Sequence, residues 1–160
     1  MKNLLQTLCG LFLVVFYSSC MNSGDNRVDV LIVGGGASGV TSGIQAARMG
    51  ANTLILEETT WLGGMLTSAG VSAVDGNYRL PAGLWGEFKN RLSDYYGGLD
   101  SLKTGWVSNV LFEPSVGNRI FHEMVSAEKN LKVWKQTRLE EVKRVGDEWI
   151  AKVNVEGQGT

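Results

Sequence analysis

The chain has only two cysteines, Cys9 and Cys20, and none at all from Met21 to Thr160. A disulfide framework, a CxxC redox pair, a cysteine zinc site and a thiol nucleophile are therefore excluded from everything beyond the first twenty residues. Histidine is just as scarce. His122 is the only one, set mid-helix beside Phe121, and it has no second histidine or cysteine with which to build a metal site or a triad. No metal is expected. Neither charge dominates: 15 Lys and Arg face 16 Asp and Glu, for a formal net charge of −1 and a pI near 5.8. That balance argues against nucleic acid as a partner. Lys132, Lys135, Arg138, Lys143 and Arg144 are interleaved with Glu140 and Glu141 and read as a solvated face. There is no internal repeat and no low-complexity stretch.

Long apolar runs are also missing. The most apolar stretch, Leu8 to Tyr17, is about ten residues, whereas a spanning helix needs about 20. Preceded by Met1-Lys2 and closed by Ser18-Ser19-Cys20, it has the layout of a secretory signal. A small residue before cysteine resembles the lipobox of bacterial lipoproteins, in which Cys20 would carry the lipid and become the new N-terminus. Tyr17 stands where leucine is usual, so cleavage by the ordinary signal peptidase is the alternative. The expectation is a signal peptide over 1–19, a tether over 20–27, a location in the bacterial cell envelope, and membrane attachment by a lipid anchor only.

Glycine, by contrast, is abundant, with 21 residues, and its placement is informative. Val28-Asp-Val-Leu-Ile-Val33 runs straight into Gly34-Gly-Gly36-Ala-Ser-Gly39, and Asn52-Thr-Leu-Ile-Leu56 ends on Glu57. This is a buried strand, a glycine-rich turn opening a helix, a second buried strand and an acidic tip. In such a unit the glycines permit the turn, the close approach of backbone to a pyrophosphate, and tight helix–sheet packing. The helix N-terminus presents unpaired N–H groups to the phosphates. Gly34, Gly36, Ala37, Ser38 and Gly39 are thus the candidate pyrophosphate cradle, and Glu57 the candidate partner of the ribose hydroxyls. Val40, Ile44 and Ala47 form an apolar stripe for the sheet. Gly39, Gly43, Ala46 and Gly50 form a second, small stripe, and Gly50 falls where a C-cap is expected.

Thr59-Thr-Trp-Leu-Gly63-Gly64-Met-Leu-Thr-Ser68 follows immediately. At this point the sequence resembles the FAD-dependent oxidoreductases of the glutathione-reductase-like fold, in particular a bacterial group with Gly-Gly-Met-Leu-Thr-Ser after the acidic strand end. The resemblance implies that Gly63 and Gly64 approach the FAD diphosphate. It also places Met65 where many members carry arginine, so a cationic contact is missing there. Leu80–Phe88, Phe112–Met124 and Asn130–Thr137 resemble later segments of these enzymes, and the last of them implies adenine contact by backbone near Leu139.

The resemblance implies an α/β fold: a Rossmann-like FAD/NAD(P)-binding parallel sheet with an antiparallel strand layer. It also implies FAD as cofactor, hydride transfer between FAD and a small-molecule substrate, and chemistry carried mainly by the cofactor. Without cysteines this is not a disulfide reductase. Family members run to several hundred residues, and the Ala-Thr-Gly-like motif of their returning strand is not found. Residues 28–160 are therefore expected to be a partial FAD-binding domain, incomplete at the C-terminus. An NAD-dependent dehydrogenase and a truncated, non-catalytic nucleotide-binding fragment are the alternatives. No catalytic residue, substrate, electron acceptor or oligomeric state is indicated. Asp75-Gly76-Asn77 reads as a turn, and Trp61, Tyr78, Trp85 and Trp106 as core or loop packing, with the lining of a flavin or sugar-like ligand as the alternative.

The second half reads as helix, loop, helix, strand and hairpin. Leu84, Phe88 and Leu92 share a helical face that Gly97-Gly98 terminates. Pro114 starts a helix with Val116, Ile120 and Met124 aligned. Gly146-Asp147 turns a hairpin between Val142–Val145 and Trp149–Val155, and alternation over Trp149 to Glu156 predicts one mostly buried face.

Overall fold

The computed structural model describes residues 26–156. The proposed signal peptide, the lipidation site Cys20 and most of the 20–27 tether lie outside those residues. Three parallel strands form the main sheet: β1 (Val30–Val33), β2 (Thr53–Glu57) and β3 (Leu131–Lys135), in the order β1-β2-β3. Register pairs Val30 with Thr53 and Val33 with Leu56 on one side of β2, and Thr53 with Leu131 and Glu57 with Lys135 on the other. Helix α1 (Ala37–Arg48) joins β1 to β2, while α2 (Gly83–Tyr96) and α3 (Pro114–Ser126) lie between β2 and β3. The expected α/β architecture is present.

Local chemistry explains these boundaries. α1 turns Val40, Ile44 and Ala47 into the core, as their spacing predicts. Its end is closed by a Schellman motif: the Ala51 N–H donates to the Ala46 carbonyl (3.1 Å) and the Gly50 N–H to that of Ala47 (3.0 Å), with Gly50 at φ 95°. Gly97 caps α2 in the same left-handed conformation, and Pro114 opens α3 in its first turn. Every residue of β2 is buried, which suits a central parallel strand. Phe88 of α2 stacks on Phe121 of α3 (ring centroids 4.5 Å apart), with Phe112 edge-on to it at 5.5 Å. At the surface the Arg48 guanidinium ties three segments together. It bonds both oxygens of Glu87 (2.6 and 2.9 Å) and reaches Glu128 at 2.7 Å. The Glu87 bond, followed by that to Glu128, raises the Arg48 pKa, and the Arg48–Glu87 bond lowers that of Glu87.

The hairpin departs from expectation in one respect. β4 (Thr137–Val145) and β5 (Glu148–Val155) pair antiparallel in a sheet of their own, irregular between Leu139 and Glu141, around the Gly146-Asp147 turn. The face carrying Trp149, Ala151, Val153 and Val155 is not mostly buried. Ala151, Val153 and Val155 are half-buried and Trp149 is exposed, as are Val142, Val145 and Ile150. Alternation specifies that a strand has two faces but not what covers either one. Among the described residues Arg27 reaches the distal half of this hairpin, bonding Glu148 at 3.1 Å, and leaves the apolar side chains there exposed. The basic residues predicted to be solvated are exposed, with Lys143 paired to Glu141 (2.9 Å) and Lys152 to Glu140 (2.8 Å).

Candidate functional site

The site is built at the carboxyl ends of β1 and β2, where two glycine turns meet. β1 leaves the sheet at Gly34, whose φ of 100° suits glycine and whose N–H donates to the Leu56 carbonyl at 2.8 Å. One turn later Gly39 passes so close that a Cβ there would stand 1.9 Å from the Gly34 carbonyl oxygen. The second turn is sewn to the first. The Gly63 N–H donates to the Gly35 carbonyl (2.8 Å), Gly36 and Gly63 form a parallel bridge, and a Cβ on Gly64 would sit 3.0 Å from Gly36 Cα. Gly63 itself has φ 107° and rests on the Phe121 ring.

Glu57 occupies the junction. Its carboxylate is nearly buried and accepts two backbone N–H groups, Gly35 on Oε2 and Thr59 on Oε1, each at 2.7 Å. α1 begins at Gly36 with no side-chain cap and no acidic residue in its first turn. The N–H groups of Ala37, Ser38 and Gly39 therefore have no carbonyl a turn behind them. A Cβ on Gly36 would meet no atom within 4 Å, so this stretch of backbone is bare. Uncapped donors beside bare backbone form a cradle that fits a diphosphate.

The remaining candidates fall around this junction to differing degrees. Met65 follows the second turn in a short 3-10 segment, Gly64–Leu66, and is exposed. Leu139 lies inside β4, half-buried and paired with Val153. A crevice of about 240 Å³ beside it is lined by Glu58, Gln136, Thr137, Arg138, Asn154 and Glu156, and not by Leu139. Gln136, at φ 52°, makes the corner between β3 and β4. Its N–H donates to the Thr59 carbonyl (3.2 Å), and its own carbonyl accepts from the Glu156 N–H (2.8 Å).

Sequence reasoning missed several supports. The Asn118 Oδ1 accepts the Leu62 N–H (2.8 Å), and the Thr67 hydroxyl donates to the Leu62 carbonyl (2.6 Å), so both shape the second turn. Thr67 stands in the quoted motif, but nothing in the α3 pattern singles out Asn118. Of the four aromatics, Tyr78 and Trp85 pack against the core and Trp61 is half-buried, while Trp106 is 97% exposed and packs as neither core nor loop.

His122 is half-buried on α3. Desolvation, and then the Lys135 charge, push its pKa below 6.5 against an opposing hydrogen bond with the Thr60 backbone. A depressed folded pKa means the unfolded chain binds the proton first. Stability from this group is thus complete above about pH 6.5 and is lost as pH falls towards the folded value. His122→Gln is expected to flatten that acid loss, measured as the difference in urea midpoint between about pH 7.5 and 5.5. An unchanged difference would remove His122 as its source. Among the described residues no group of three or more His, Cys, Asp or Glu could hold a metal, and no helix is long and apolar enough to cross a membrane.

The parallel sheet, the glycine turn opening α1 and the acidic end of β2 define a dinucleotide-binding α/β protein. Residues 29–160 match the FAD dependent oxidoreductase family, and the chain belongs to it. Its cofactor is accordingly FAD. The fold is shared with AlpK (TM-score 0.55, 14% identity), which covers 82% of this chain and is itself covered over 28% of its length. It is also shared with CabE, an aromatic hydroxylase from angucycline biosynthesis (0.55, 12%, covering 81% and 28%). OxyS anhydrotetracycline hydroxylase from Streptomyces rimosus is similar to the same degree (0.54, 13%, covering 81% and 28%). The chain thus spans under a third of these solved structures. No curated protein matches it.

Proposed function

We propose that residues 28–160 are the FAD-binding portion of a cell-envelope flavin oxidoreductase that passes a hydride between a small-molecule substrate and FAD. The observation that carries this reading is the joining of two glycine turns around Glu57. One turn alone is a common way to leave a strand, whereas two bare turns bridged backbone to backbone beneath an uncapped helix make a diphosphate cradle. In this reading the N–H groups of Ala37, Ser38 and Gly39 hold one phosphate side, with Gly34 and Gly36 leaving it room. Gly63 and Gly64 close over the other side. Glu57 accepts from the ribose hydroxyls through the second lone pairs of its oxygens, and its charge disfavours a 2′-phosphate. The Gln136–Leu139 backbone lies at the adenine end. The bound flavin would supply a hydride-accepting N5, and the protein's part is to bind and orient it.

The leader supports a place in the envelope: a positive start, a short apolar run and a small residue before Cys20 fit lipid anchoring at that cysteine. Labelled palmitate should enter the wild-type chain and not Cys20→Ser; equal labelling would sink the anchor.

The deciding experiment is the visible spectrum after refolding with FAD and dialysis. A stoichiometric flavin spectrum is expected, and a folded, colourless protein that takes NAD instead would overturn the assignment. A gain should also be obtainable. Met65→Arg places a cation beside Gly64, where an exposed charge-assisted contact contributes about 1 kcal/mol, or roughly fivefold in affinity. A flavin fluorescence titration would register it, and the gain should shrink at high salt.

A further inference from the structure

The dinucleotide turns leave one cleft unaccounted for. It has a volume of about 510 Å³, within the range of small-molecule sites, and contains no residue of the 34–39 or 63–64 turns. Its wall carries Arg79, Lys89 and Lys103 together with the Asn109 amide, and its apolar part is Leu99, Leu102 and Val110. Leu102 and Val110 are buried core residues, so the floor is fixed.

The cations are held in different ways. Lys89 is 8% exposed, unusual for an ammonium group, and no carboxylate pairs with it among the described residues. Its Nζ donates instead to the carbonyls of Tyr78 (2.9 Å) and Leu80 (2.8 Å) and lies 5.7 Å from the Trp85 ring centroid. Those bonds use two of its three protons and orient it, but they do not neutralise it. The Arg79 Nε donates to the Tyr78 hydroxyl (3.1 Å), and its guanidinium lies 5.5 Å from the centre of that ring. These contacts engage Nε and leave the two terminal nitrogens without a carboxylate partner among the described residues. Lys103 is paired with Asp100 (2.8 Å), but that carboxylate is almost fully exposed and is not part of the cleft lining. The result is a concave, partly apolar site with a buried, uncompensated ammonium, a planar guanidinium fork and an amide.

We infer that this cleft binds a small organic acid, its carboxylate taken by Arg79 and Lys89 and its apolar body laid on Leu99, Leu102 and Val110. A planar fork suits the two carboxylate oxygens, and a bound anion would neutralise Lys89 where no side chain does. The inference is independent of the flavin assignment, because the two sites share no residue.

The test is an amide-resolved NMR titration of the full 160-residue chain with three probes. Benzoate combines carboxylate and apolar body, benzamide is its neutral counterpart, and inorganic phosphate has charge without the body. Benzoate should saturate with shifts centred on Leu102, Asn109 and Val110, and should bind at least tenfold more tightly than benzamide and more tightly than phosphate. Arg79→Gln, at an exposed position that should not disturb folding, is expected to weaken benzoate at least fivefold while leaving flavin binding as it was. Equal binding of benzamide, phosphate binding as tight as benzoate, shifts elsewhere, or an indifferent Arg79→Gln would each overturn the proposal. Loss of flavin binding with benzoate binding retained would strike only at the flavin reading.

Discussion

Gly39→Ala is expected to destabilise the protein by about 3 kcal/mol or more and to abolish flavin retention. The reason is local and severe. The new methyl would stand 1.9 Å from the Gly34 carbonyl oxygen and 3.1 Å from its carbon, both backbone atoms that no rotamer change can move aside. Relief requires either shifting the start of α1 outward or turning the Gly34 peptide. Turning that peptide would strain the Gly34–Leu56 bond and the neighbouring Gly35 contacts to Glu57 and Gly63. Gly36→Ala supplies the contrast. Gly36 sits at φ −63°, which alanine adopts freely, and its Cβ would meet nothing within 4 Å. Stability should change by less than about 1 kcal/mol, the usual scale for exchanging glycine and alanine at a cap, while flavin affinity falls at least about tenfold because the methyl occupies the diphosphate's approach. Urea denaturation and a flavin titration on both variants separate packing from binding. A Gly36→Ala protein that keeps its flavin would show that the cradle is not the diphosphate site.

That contrast also shows what the sequence could and could not reveal. The motif assigns Gly36 to the approach of a pyrophosphate and Gly39 to close packing of the helix, and the coordinates add which atom Gly39 makes room for, the Gly34 carbonyl oxygen of the same turn. The positions of the strands, α1 and its cap, and the faces of α2 and α3 were legible because each rests on a short-range rule: period, capping residue or turn glycine; the burial expected of β1 was not, since Leu31 and Val33 are exposed at the edge of the sheet. What escaped depends on contacts between segments far apart in the chain. Asn118 bonds Leu62 across 56 positions, and Phe121 supports Gly63 from another helix. Neither leaves a periodic trace. Gln136 in a left-handed conformation is invisible for the opposite reason, since that geometry usually selects glycine or asparagine and here tertiary bonds impose it. The buried Lys89 was hidden by composition, because nearly all lysines are solvated.

The second large effect is expected at Glu57, and it should have two separable parts. The carboxylate receives two short backbone bonds, from Gly35 in the first glycine turn and from Thr59 just ahead of the second. It therefore acts as a clamp between the two halves of the cradle even before any ribose arrives. Glu57→Ala would leave both N–H groups without their acceptor in a nearly buried position, at about 1–3 kcal/mol each. A total loss of about 2–4 kcal/mol follows, because partial access of water to one of them reduces the sum. Glu57→Gln keeps one carbonyl oxygen but turns an NH2 towards the other donor, so its loss should lie between wild type and alanine. If the side chain were only a clamp, the glutamine variant, held well below its melting temperature, would bind flavin with nearly unchanged affinity. If it also accepts from the ribose, affinity should fall at least about tenfold while the far-ultraviolet spectrum stays native, because a charged acceptor contributes more than a neutral one. Thermal melts and flavin titrations on the two variants therefore measure the two roles on separate axes. Unchanged affinity in a folded Glu57→Gln protein would confine Glu57 to the structural role.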